Sequence, residues 1–156
     1  MNTFFVSTKI QGFRRLLQSE RSANLLIEVL YHHRSQNQYS LHEFVVMPNH
    51  LHLILSPTAA VTIEKTMQLI KGGFSFRAKK DFGWKVTIRH RSFNDRRLRD
   101  ANEYTNAREY ILDNPVKAGL CLRREDWQYS SAGGKFVMDE VPQRLKPFCY
   151  KHSSHG

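Results

Sequence analysis

The sequence predicts an α+β domain of the ferredoxin-like, split βαβ kind, an antiparallel sheet with helices packed on it. Strand-like and helix-like stretches alternate in the order strand, helix, strand, strand, helix, strand, helix. A hairpin signal in the middle, Pro48-Asn49 between two apolar runs, excludes a purely parallel sheet. At 156 residues and 40% hydrophobic content, the chain can bury one core. A single domain is expected over 1–135, followed by a C-terminal tail over 136–156 that is partly mobile.

The elements follow in order. Asn2–Thr8 reads as a short strand. Between Ser19 and Arg34, Ala23, Leu26, Ile27 and Leu30 recur on one helical face. Tyr39–Met47 is rich in β-branched and aromatic residues, and His50–Ser56 alternates strictly, so the two form a hairpin. A second helix starts near Thr62 with the stripe Ile63, Met67, Ile70 and Phe74. Its Gly72-Gly73 pair weakens it or admits a close backbone approach. Val86, Thr87 and Ile88 suggest a strand within Trp84–Phe93. A third helix is expected from Ala101 to Asp113, ending at Asn114-Pro115 because a residue before proline is pushed out of the helical region. The helices are expected on one face of the sheet.

Twenty-four Lys and Arg against fourteen Asp and Glu leave a net charge of +10. Such an excess favours a polyanionic partner, because neutralising phosphates releases condensed counterions. No run of about 18 apolar residues occurs, so no membrane partner is expected. The opening MNTFFVSTKIQGFRR lacks the pattern of a secretory leader. Cys121 and Cys149 match no metal or redox spacing, and free thiols in a cytoplasmic protein are expected.

Chemistry concentrates in two places. Alternation along a strand puts His50 and His52 on one face with Ile54, and Leu51, Leu53 and Leu55 on the other. Two imidazoles about 7 Å apart along a strand can converge on one cation. They can equally be solvated histidines on a wet face, and two ligands leave a metal's shell unfilled. On the third helix, Tyr104, Ala107 and Ile111 form the buried face, while Tyr110 and Asn114 project side by side on its flank. Tyr110 could reach a cleft edge from an anchored helix, and Asn114 offers an amide oxygen to a cation. Packing and helix termination remain the plainer roles for these two.

These residues stand within longer strings. Met47-Pro48-Asn49-His50-Leu51-His52-Leu53 resembles the HUH motif (histidine, hydrophobic, histidine) of single-tyrosine transposases. Tyr110-Ile111-Leu112-Asp113-Asn114-Pro115-Val116-Lys117-Ala118-Gly119-Leu120 is similar to their catalytic-helix signature. Met67 to Gly73, Ser92 to Asp95 and Trp127 to Ser131 resemble further segments of the family, in the right order over about residues 3 to 132. The resemblance is to the IS200-like insertion-sequence transposases, nearest their REP-associated tyrosine branch. Two departures stand out: Arg89-His90 where members often have Trp-Gln, and Arg96 where they often have His.

The resemblance implies a transposase IS200-like fold and a DNA transposase that nicks and rejoins single-stranded or hairpin DNA through a 5′-phosphotyrosine intermediate. It implies Tyr110 as nucleophile, with His50, His52 and Asn114 as ligands of Mg²⁺ or Mn²⁺. Lys71, Arg77, Lys79, Lys80, Arg96, Arg97 and Arg99 are expected to track the DNA backbone, with Phe74, Phe76 and Trp84 available to stack on bases, core packing being the plainer role for Phe74. Family members act as monomers or homodimers, and both remain open for this chain. A non-catalytic hairpin-binding module and a metal-dependent hydrolase using the two histidines are the alternatives.

Overall fold

In the computed structural model, which describes residues 1–9, 20–84 and 93–147, the elements run β1 (Thr3–Lys9), α1 (Glu20–Ser35), β2 (Tyr39–Val46), β3 (His50–Pro57), α2 (Ile63–Phe82), β4 (Asn94–Leu98) and α3 (Ala101–Lys117). The strands form one antiparallel sheet in the order β2-β3-β1-β4. The hairpin partner β3 lies between β1 and β2, which α1 connects, so the topology is the split βαβ that the sequence predicts.

The alternation of β3 decides where the layers go. Leu51, Leu53 and Leu55 join Val6, Leu41 and Phe44 in a core closed by α1 and α2. The opposite face carries Phe5, Val45, Ile54 and Leu98, and α3 covers it with Tyr104, Ala107, Ile111 and Leu112. Helices therefore lie on both faces rather than one. The second face is apolar enough to need a cover, and the stripe of α3 supplies it.

Helix ends follow their local chemistry. Thr62 caps α2 by accepting from the Lys65 amide at 3.0 Å, and Asp100 caps α3 by accepting from that of Glu103 at 2.8 Å. Helix α3 does not stop before Pro115 but continues to Lys117. Within the last turn, proline forfeits a single ladder bond. The end is then closed by a Schellman arrangement: Leu120 N–H donates to Pro115 O at 2.9 Å, Gly119 N–H donates to Val116 O at 3.0 Å, and Gly119 takes φ 74°. Gly73 serves as a point of close approach. A Cβ there would lie 2.9 Å from His33 Nε2 and 3.1 Å from Val29 Cγ1, both on α1.

The strand suggested by Val86, Thr87 and Ile88 lies outside the described residues. The observed β4 begins at Asn94, and of its side chains only Leu98 is buried. Its pairing with the open edge of β1, from Thr3↔Leu98 to Ser7↔Asn94, makes it a strand rather than any β propensity.

The segment after α3 covers the outer edge of β2. Tyr129 O accepts from Val46 N–H and Leu41 O accepts from Asp139 N–H, each at 2.8 Å. The Asp139 carboxylate accepts from Leu41 N–H and pairs with Arg34 at 2.7 Å, and Leu145 is buried against α3. Beside it, His42 bridges Asp139 O and Ser56 Oγ, and Ser56 contacts Thr3 Oγ1 at 2.7 Å.

Candidate functional site

Strand β3 delivers both histidines to the face that α3 covers. Their rings lie parallel, 8° apart in tilt, with centroids 5.8 Å apart. His50 Nδ1 meets Asn49 Oδ1 at 2.5 Å, and an amide oxygen can only accept, so Nδ1 carries the proton and Nε2 keeps its lone pair. His52 Nδ1 meets Ser7 Oγ at 2.7 Å across the β1–β3 register. Among the described residues neither Nε2 makes a hydrogen bond. Burial, and secondarily His50, hold His52 down to about 4; burial, and secondarily Lys9, lower His50. Both imidazoles are therefore neutral at pH 7, the form that binds metal.

Tyr110 stands next to them. Its ring meets that of His52 edge-on at 5.4 Å and 88°, and that of Phe5 at 5.7 Å. It is 48% exposed, whereas Tyr104 is 7% exposed in the core. Helix α3 is braced on both sides of it. Arg108 pairs with Glu43 of β2 at 3.1 Å, and Arg124 bridges Glu109 and Asp113. Asn114 follows one turn later, half-buried. Among the described residues, no group of three or more His, Cys, Asp and Glu gathers around a common point. With the described residues alone, amide, substrate or water oxygens would complete a shell around the two histidines.

The basic residues scatter. Lys71 is buried, its ammonium 5.9 Å from the centre of the Phe93 ring. Arg77 pairs with Glu28 and Asp81. Lys79 and Lys80 are exposed in the last turn of α2, and Arg97 and Arg99 are exposed around β4. Arg96 alone among them lines the groove beside Tyr110, its guanidinium 5.7 Å from the centre of the Phe5 ring. Phe76 is exposed on α2, Trp84 packs at a tilt against Phe82, and Phe74 is core. Arg89-His90 lies outside the described residues.

Sequence reasoning passed over Ser7, Phe5 and Asn49. Asn49 had a local signal, because it adjoins His50 in the turn. Ser7 and Phe5 had none, since only the cross-strand register brings them to the site.

The fold is that of the IS200-like transposases. The family described as Transposase IS200 like matches residues 10–113, more than half of the chain and including His50, His52 and Tyr110. The chain belongs to the IS200-like transposase family. Among solved structures, a REP-associated tyrosine transposase bound to a REP hairpin superposes with a TM-score of 0.70 at 22% identity, over 94% of this chain and 88% of that one. A candidate transposase from Deinococcus radiodurans R1 gives 0.51 at 20% identity, over 71% of this chain and 88% of that one. No curated protein sequence matches. No helix of the described residues is long and apolar enough to cross a membrane.

Proposed function

We propose that this IS200-like transposase is a metal-dependent nickase and strand transferase of single-stranded DNA, with Tyr110 as nucleophile. The observation that carries this reading is the contact of the half-exposed Tyr110 ring with His52, whose Nε2 makes no hydrogen bond among the described residues and whose ring lies parallel to that of His50. A phenol at the mouth of a groove, next to two neutral imidazoles with their outer nitrogens unengaged, suits attack on a phosphodiester.

The residues fit a divalent cation. Both Nδ1 atoms are engaged by oxygen partners, Ser7 and Asn49, which is how the other nitrogen of a ligating histidine is usually oriented. His50 and His52 would hold Mg²⁺ or Mn²⁺, with Asn114 as third ligand. The cation would polarise the phosphodiester and offset its developing negative charge.

The chain's own residues supply the rest. The Tyr110 oxygen bonds to phosphorus as the P–O3′ bond breaks, leaving a 5′-phosphotyrosine and a 3′-hydroxyl. The proton lost by the phenol is balanced by one taken up on the leaving oxygen. One ester replaces another, so a 3′-hydroxyl from a second end can reverse the step and join new strands without ATP. Ser7 and Asn49 keep both rings in one orientation, Arg108 holds α3 against Glu43 of β2, and Arg124 ties α3 to the segment that follows it. The surface charge of Lys79, Lys80, Arg96, Arg97 and Arg99 supports a DNA backbone as partner. The REP hairpin held by the structural neighbour supports hairpin DNA as the form taken.

The test is incubation with labelled hairpin DNA carrying single-stranded flanks, with Mn²⁺, followed by a denaturing gel. A labelled adduct with wild type and none with Tyr110→Phe is expected. Cleavage without an adduct would point to hydrolysis, and binding without cleavage to a non-catalytic module.

A further inference from the structure

Beside Tyr110, a groove runs between β4 and α3, lined by Phe5, Ser7, Asn94, Asp95, Arg96, Asn106 and Ala107 as well as Tyr110 itself. The antiparallel register sorts which side chains serve it. Asn94 pairs with Ser7 and Arg96 with Phe5, so all four project to the α3 face. Asp95 pairs with Val6, whose side chain enters the α1–α2 core, and it lines the groove between Asn94 and Arg96. On α3, Asn106 precedes Tyr110 by four residues and projects on the same flank.

The groups in this groove have distinct chemistries. Phe5 and Tyr110 supply ring surface. Asn94 and Asn106 are exposed, and among the described residues neither side-chain amide makes a hydrogen bond. Arg96 adds one positive charge against Phe5. Ser7 is already engaged by His52. An aromatic wall with two neutral amides matches a planar ligand that has apolar faces and a hydrogen-bonding edge. A guanidinium at its margin matches a phosphate. An unpaired nucleotide is both.

We infer that this groove is a nucleobase subsite, in which Asn94 and Asn106 read the edge of one unpaired base next to the scissile phosphate while Arg96 holds the phosphate joined to it. This rests on the nickase reading for the position of the scissile phosphate, but the binding it describes does not need cleavage. Each amide offers a donor and an acceptor together, so a pair of them discriminates between bases, whereas the rings accept any base.

The experiment measures binding apart from chemistry. Tyr110→Phe protein keeps the ring and is equilibrated with hairpin DNA pools carrying six random nucleotides on the 5′ or the 3′ side. Bound and free fractions are sequenced. One flank position should show a base preference of about ten-fold, the scale of a good amide–base pair. Asn106→Ala or Asn94→Ala in the same background should flatten that preference at that position alone, and Asn106→Asp should change which base is chosen. Arg96→Ala should weaken all sequences alike and lower the salt dependence. Thermal melts confirm that these surface variants fold. An absent preference, or one that survives both alanine variants, overturns the subsite. Adduct formation by wild type on the same pools separates the two proposals. No adduct together with an amide-dependent preference sinks the nickase reading and leaves the subsite standing. An adduct together with an amide-independent preference does the reverse.

Discussion

The Ser7 hydroxyl of β1 lies 2.7 Å from His52 Nδ1 of β3, two residues 45 positions apart that the antiparallel register places opposite each other. The contact engages Nδ1 of the most buried residue in the candidate centre and leaves its Nε2 without a hydrogen bond among the described residues. It joins the sheet's architecture to the site's chemistry.

Removing that hydroxyl should therefore loosen the metal site. Ser7→Ala is expected to weaken Mn²⁺ binding by about ten-fold, the low end for loss of an outer-shell partner. Titration of Mn²⁺ followed by electron paramagnetic resonance would read it. Unchanged affinity would mean that Ser7 does not orient His52.

Chelation should abolish adduct formation, and added Mn²⁺ or Mg²⁺ should restore it. The gel assay with EDTA checks this, and activity that persists through exhaustive chelation would remove the cation from the mechanism.

The C-terminal strap gives a pH prediction. The hydrogen-bonded Arg34 holds the Asp139 carboxyl below its ordinary 3.8. A carboxyl whose folded value is depressed contributes stability that is complete above the unfolded value and lost as pH falls through the folded one. Asp139→Asn should cost about 2 kcal/mol at pH 7, and that difference should shrink as pH falls below 3.8. Urea unfolding at pH 7 and pH 3 measures it. A difference that stays constant would show that the carboxylate's charge is irrelevant.

Gly73 tests the helix pair. A β-branched side chain there meets Val29 and His33 at once, so Gly73→Val should destabilise by about 2 kcal/mol through overpacking. An equally stable variant would show that α1 and α2 can separate freely.

The features legible in the sequence were those set by local period and local chemistry. The strict alternation of His50–Ser56 gave the strand, its two faces and the pairing of the histidines. Spacing on α3 separated buried Tyr104 from exposed Tyr110. What escaped was decided at a distance. Asn94–Leu98 is polar and becomes a strand only because β1 has an edge to fill. Ser7 and Phe5 enter the site through register alone. Arg124 and Asp139 act across 11 and 105 positions, on Asp113 and Arg34, with no periodicity to announce them. Pro115 misled because a proline near a helix end costs little, and the Gly119 turn closes the helix beyond it.

The most direct test of the central claim is to map the covalent bond. The adduct formed on hairpin DNA is digested with nuclease and trypsin and analysed by mass spectrometry. Trypsin separates the peptide Glu109–Lys117, which holds Tyr110, from Asp100–Arg108, which holds Tyr104. A phosphonucleotide mass on Tyr110 alone is predicted. The same mass on Tyr104 or any other residue would contradict the site.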